Sequence, residues 1–155
     1  MRNWIAFSIA LLPFAVHAED RCPWMNRATA GGLLGGEASM RVTAADADNG
    51  SCAFELRQGD SLSRLTIQVT TMRTPKTDFA SYLARCPNGT PLKAIGNEAV
   101  TCPGTDHDER FEQVVGRVRD HAFIVRVSTT GRGADAGALR ERAAKAAEQV
   151  AGILF

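Results

Sequence analysis

The run Phe111–Thr129, FEQVVGRVRDHAFIVRVST, restricts the fold more than any other part of the chain. It reads as two β-strands joined by a short polar turn near Arg119-Asp120. Aromatic and β-branched residues fit a half-buried pleated surface, and Ala122, Phe123, Ile124, Val125 and Val127 concentrate them. This second strand is long enough to serve as a central ladder for other strands and for a C-terminal helix.

Three upstream stretches supply such strands. Ala38, Met40, Val42 and Ala44 alternate with Ser39, Arg41 and Thr43. Cys52, Phe54 and Leu56 alternate with Ser51, Ala53, Glu55 and Arg57, and Leu65, Ile67 and Val69 alternate with Arg64, Thr66, Gln68 and Thr70. Alternation with period two means one buried and one wet face, as in an antiparallel sheet. Asp48-Asn49-Gly50 and Gln58-Gly59-Asp60 have the composition of the connecting turns.

Helices punctuate the strands. The first is expected from Cys22-Pro23 to about Leu34, ended by Gly35-Gly36. Gly31-Gly32 inside it costs about 1 kcal/mol per glycine relative to alanine. GGLLGG does not make a phosphate-cradling loop, because the required lysine and preceding strand are missing. The second helix starts at Thr74-Pro75 and places Phe79, Tyr82, Leu83 and Cys86 on one side. Short strands are expected at Leu92–Gly96 and Glu98–Cys102, followed by a polar loop over 103–110, PGTDHDER. The last helix runs from about Ala134 to Leu154, with a narrow stripe of Leu139, Ala143, Ala146, Val150 and Leu154. The order α-βββ-α-ββ-ββ-α implies an α+β domain: one twisted antiparallel sheet with helices packed on one face.

The N-terminus carries a compartment signal. Arg2 precedes an apolar run, Trp4–Val16, broken by Pro13 and ending in Val16-His17-Ala18. This is the pattern of a cleavable signal peptide, residues 1–18, with cleavage after Ala18. The run is too short for a comfortable membrane span of roughly 30 Å. Residues 19–155 are then a single exported domain, periplasmic or secreted, with no stable membrane insertion. The whole chain has 18 Lys+Arg and 17 Asp+Glu, and the leader holds only Arg2, so the remainder is balanced. A balanced charge provides no field for nucleic acid, which is excluded as a default partner.

All four cysteines, Cys22, Cys52, Cys86 and Cys102, follow the leader. In an exported chain an even count reads as two disulfides with three possible pairings. Cys22–Cys52 and Cys86–Cys102 is the favoured one, since each bond then ties a helix end to a nearby strand.

Candidate chemistry is sparse. Asp106-His107-Asp108, with His121 further on, offers oxygen and imidazole ligands for a metal-dependent or hydrolytic enzyme. That is the alternative reading, without paired CxxC or HxxxH spacing. No GxSxG or CxxC occurs, and no motif asks for a cofactor. Arginine on the polar strand faces is a milder signal, and the one taken for ligand binding: Arg41, Arg57, Arg64, Arg117 and Arg126. If several share one face, they can hold a carboxylate or phosphate through bidentate contacts. Trp24, near a disulfide, reads as core packing and the alanine-rich last helix as packing on the sheet; a subunit interface through either is the third reading.

Cys22-Pro23-Trp24 leading into a helix that ends LLGG, the Cys52-Ala53-Phe54 strand and Ile95-Gly96-Asn97-Glu98-Ala99 together resemble small extracytoplasmic lipoprotein and sensor-type domains. The resemblance implies an α+β extracytoplasmic domain stapled by disulfides, with a binding cleft and no catalytic residue to carry over. The chain departs from that pattern in lacking a cysteine set for lipidation: Glu19-Asp20-Arg21 precedes Cys22. The function expected is non-enzymatic: binding of an envelope protein or a small anionic ligand.

Overall fold

A computed structural model describes residues 21–43, 46–131 and 135–155. The expected signal peptide, Ala44 of the first strand and the Ala134 helix start lie outside them.

The long hairpin forms as its composition requires. β6 (Glu109–Val118) and β7 (His121–Thr130) pair antiparallel around the Arg119-Asp120 turn. Asn97 Oδ1 fixes the turn by accepting the Arg119 N–H at 2.6 Å. β1 (Ser39–Thr43), β2 (Gly50–Gln58) and β3 (Ser61–Thr71) form a meander whose last strand pairs with β7. β4 (Thr90–Pro91) and β5 (Glu98–Asp106) complete the other side. The result is one seven-stranded antiparallel sheet, ordered β1-β2-β3-β7-β6-β5-β4.

Three helices pack on it, giving the expected α+β architecture. α1 (Arg27–Leu34) and α3 (Ala136–Leu154) cover one face, over Phe54, Leu65, Ile67, Phe123 and Val125. The alanines of α3 keep its axis close to β6 and β7, and Asp135 caps it by accepting the Gly137 and Ala138 N–H groups at 3.2 and 3.3 Å. α1 starts later than the expected opening at Cys22-Pro23: Asn26 is the N-cap and accepts the Thr29 N–H at 2.8 Å. Gly31 is the tight one of its two glycines: a Cβ there would stand 2.5 Å from the Gly36 carbonyl oxygen.

α2 (Pro75–Leu83) corrects the one-face expectation. Phe79 packs with Val115, Ala122 and Ile124, the side of the sheet opposite Val114, Phe123 and Val125. The cause is strand parity. Cys86, just past α2, bonds Cys102, and Cys102 lies opposite Gln113, whose neighbour Val114 points the other way. Both favoured disulfides are formed, with Cα–Cα separations of 5.8 Å for Cys22–Cys52 and 5.7 Å for Cys86–Cys102. Such bonds belong to an oxidising, extracytoplasmic environment. Among the described residues no helix is long and apolar enough to cross a membrane.

Two further expectations fail locally. PGTDHDER is not a loop: β5 continues to Asp106, His107-Asp108 makes the turn with His107 at φ 53°, and Glu109 opens β6. Its polarity reflects a hairpin end with both faces wet. The strand at Leu92–Gly96 is replaced by the two-residue β4, because Ala94 and Gly96 adopt φ of 63° and 62°, which no strand accommodates.

Candidate ligand-binding site

The register of the sheet decides which side chains share the face that α1 and α3 leave open. Arg41 lies opposite Ala53, Ala53 opposite Thr66, Thr66 opposite Arg126, and Arg126 opposite Gln113. These residues therefore form one transverse row across β1, β2, β3, β7 and β6. By the same parity Arg57, Arg64 and Arg117 project from this face too, so all five candidate arginines are on one side of the sheet.

Their surroundings differ. Arg64 is engaged: its Nε donates to Glu55 Oε1 at 2.9 Å, and Nη1 lies 3.9 Å from Glu109. Glu109 also accepts a hydrogen bond from the Ser128 hydroxyl. Arg117 belongs to the α2 contact, with its guanidinium 5.8 Å from the Phe79 ring centre, Nη1 donating to the Arg119 carbonyl at 3.2 Å and Nη2 4.0 Å from Glu98. Arg57 is exposed near the end of β2, diagonal to Arg64 across the β2–β3 ladder. Arg41 and Arg126 remain, and both line a groove of about 350 Å³.

A third guanidinium completes the groove, and sequence reasoning missed it. Arg85 follows α2 and lines the same hollow. The Cys86–Cys102 bond holds this helix end against the sheet, and Gln113 Nε2 donates to the Arg85 carbonyl at 3.0 Å. Adjacency to a disulfide cysteine was the available signal. The remaining lining comes from Thr43, Ser51, Thr66, Gln68 and Gln113 over Ala53 and Ile124, without a carboxylate.

Arg126 is the best-built member. Its guanidinium carbon is stacked 3.6 Å from the centre of the Phe111 ring, which itself lies across Gly104. A Cβ on Gly104 would come within 2.0 Å of that ring, so the glycine is what lets Phe111 lie flat. The Arg126 Nη2 is ion-paired with Asp106 and Glu109 at 3.9 Å, too long for hydrogen bonds, and among the described residues the buried Nε has no hydrogen-bond partner. A desolvated guanidinium donor without an acceptor costs free energy unless a ligand supplies one.

The alternative metal set is not brought together. His107 sits at the β5–β6 tip with its Nδ1 2.8 Å from Asp106, and Asp108 is its turn neighbour. His121 opens β7, whose far end, Thr130, lies opposite Glu109. A strand of that length separates the two histidines by roughly 30 Å. His121 instead bridges Asp48 and Asp120, with Nε2 at 3.0 Å and Nδ1 at 3.1 Å from their carboxylates. Among the described residues no group of three or more His, Cys, Asp or Glu is placed to hold a metal ion. Trp24 is no surface anchor either: it is 1% exposed, and its indole N–H donates to the Ala47 carbonyl at 3.2 Å. The alanine stripe of α3 is likewise spent on the sheet.

No family model matches the chain, and no curated protein sequence matches it significantly.

Proposed function

We propose that this chain is an exported binding module of the cell envelope, periplasmic or secreted after removal of residues 1–18, and that it captures a carboxylate- or phosphate-bearing ligand in the open-face groove. The ligand is a small anion or an acidic group on a partner protein, and the role is recognition, not turnover. What supports this most is the convergence of Arg41, Arg85 and Arg126 on a groove whose lining holds no carboxylate: Asp106 and Glu109 stand 3.9 Å from Arg126, and among the described residues its buried Nε has no hydrogen-bond partner. Guanidinium groups match the planar, bidentate acceptors of carboxylate and phosphate. Stacking on Phe111 holds Arg126 in place, so little side-chain freedom is lost on binding.

The test is calorimetric titration of the mature protein with inorganic phosphate and with succinate. Each of Arg85→Gln and Arg126→Gln removes a charge-assisted contact of about 1.5–3 kcal/mol, a weakening of roughly 10- to 100-fold. Arg57→Gln, outside the groove, should bind as the parent does. Equal affinity for all variants would sink the site. The intact mass of the exported protein tests the processing step: it should begin at Glu19, and retention of Met1–Ala18 contradicts it.

A further inference from the structure

The two edges of the sheet are finished differently. β4 is only two residues long and contains Pro91, which offers no N–H to another strand. β1 has five residues, no proline and, among the described residues, a partner on one side only. Its alternate N–H and C=O groups therefore face outward. α1 packs mainly on β2, β3 and α3.

A hollow flanks β1 on each face of the sheet. On the helix side lies a cavity of about 930 Å³, mostly apolar in its exposed lining: Met25, Ala28, Gly31, Gly32, Ala38 and Met40 border it, with Arg21, Asn26, Arg27 and Glu37 as its polar members. On the open side is the arginine groove, with Arg41 and Thr43 as its β1 members. Side chains of a strand alternate between faces, so a strand added beside β1 would send every second residue into the apolar hollow and the others towards Arg41.

We infer that the free edge of β1 accepts an extended segment of another exported protein, with acidic and apolar residues in alternation. The inference rests on the anion-site reading for its acidic positions only. A second copy of this chain is the poorer occupant. Arg41 is the middle residue of Ser39–Thr43, so antiparallel self-pairing about the strand centre would set two Arg41 side chains directly opposite each other. Like charge there opposes self-association and favours an acidic guest. Backbone pairing would supply affinity, and the two hollows would supply register.

The experiment uses the mature protein and a fluorescein-labelled peptide of alternating glutamate and valine, about eight residues long, the length of an ordinary strand. Saturable anisotropy binding is expected. In a strand only alternate amides face the host, so N-methylation of one set should weaken binding about tenfold or more while the other set is tolerated. Gly32→Phe fills the apolar hollow at a position where a Cβ meets nothing within 4 Å. It should weaken peptide binding by about the same factor and leave phosphate binding intact. Arg41→Glu should weaken the peptide further. Absence of peptide binding, equal effects of the two N-methylation sets, or unchanged affinity in Gly32→Phe would overturn the inference. Normal phosphate binding in those cases leaves the anion site standing; loss of phosphate binding by the parent is the separate failure of that site.

Discussion

Replacing Gly31 by alanine inserts one methyl group where the chain closes on itself at the end of α1. The new Cβ would lie 2.5 Å from the Gly36 carbonyl oxygen, a backbone atom that cannot rotate aside. The Gly31 carbonyl also accepts the Gly35 and Gly36 N–H groups at 2.8 and 2.9 Å, so moving the 35–36 turn strains two hydrogen bonds. Overpacking of this kind costs about 1–3 kcal/mol, and a weakened hydrogen bond adds about 1 kcal/mol. Better helix propensity returns about 1 kcal/mol. The expected net loss is about 1–3 kcal/mol, or a fall in Tm of several degrees for a domain of this size. Gly32→Ala is the control. Its Cβ meets nothing within 4 Å, so only the propensity gain remains, about 0.5–1 kcal/mol of stabilisation. Urea unfolding followed by circular dichroism, with disulfides intact, measures both. Gly31→Ala as stable as the parent, or Gly32→Ala less stable, would refute the reasoning about how α1 ends.

Two other outcomes are expected. Replacing Cys86 and Cys102 together by alanine should cost about 3 kcal/mol by the chain-entropy estimate and release the α2 end, seen as new proteolytic cleavage near Arg85 and weaker phosphate binding; unchanged cleavage and binding would show that Phe79 alone holds this element. On the exposed face of α3, the hydrogen bond and charge of Lys145 hold the Glu141 carboxyl below the ordinary glutamate range, and Glu141 in turn raises Lys145. Any stability from the depressed carboxyl is present above its unfolded pKa and is lost as pH falls through the folded one. Carboxyl NMR titration should show the Glu141 midpoint rising in Lys145→Gln; an unmoved midpoint contradicts the pairing.

The strands were legible because period-two alternation is a direct imprint of a sheet with distinct faces. Ala38–Thr43, Ser51–Arg57 and Arg64–Thr70 appear in the structure within a few residues of their expected ends. The side taken by α2 was not legible. Its stripe of Phe79, Tyr82 and Leu83 shows that it must be buried, but β6 and β7 carry apolar residues on both faces, so either could receive it. Alternation within each strand put the arginines on the polar faces, whereas their sharing one face and their partners depend on register. Arg64 is hydrogen-bonded to Glu55, which lies directly across from it, whereas Thr66 and Gln113 flank Arg126 and its carboxylate neighbours, Asp106 and Glu109, stand at 3.9 Å. Arg85 was hidden because it follows a helix and belongs to no strand pattern. The apparent cluster of His107 and His121 dissolved for a simple reason: both sit near strand ends, but at opposite ends of the sheet.

The central claim is that an anion completes the coordination of Arg126, and its Nε–H is the reporter. Arginine side-chain NMR during titration with inorganic phosphate reads that proton directly. The Arg126 Nε–H resonance should move far downfield and saturate, with Arg41 and Arg85 following at the same midpoint while Arg64, held by Glu55, stays in place. A small shift common to all arginines and rising without saturation would mean only nonspecific ion binding, and would contradict the claim.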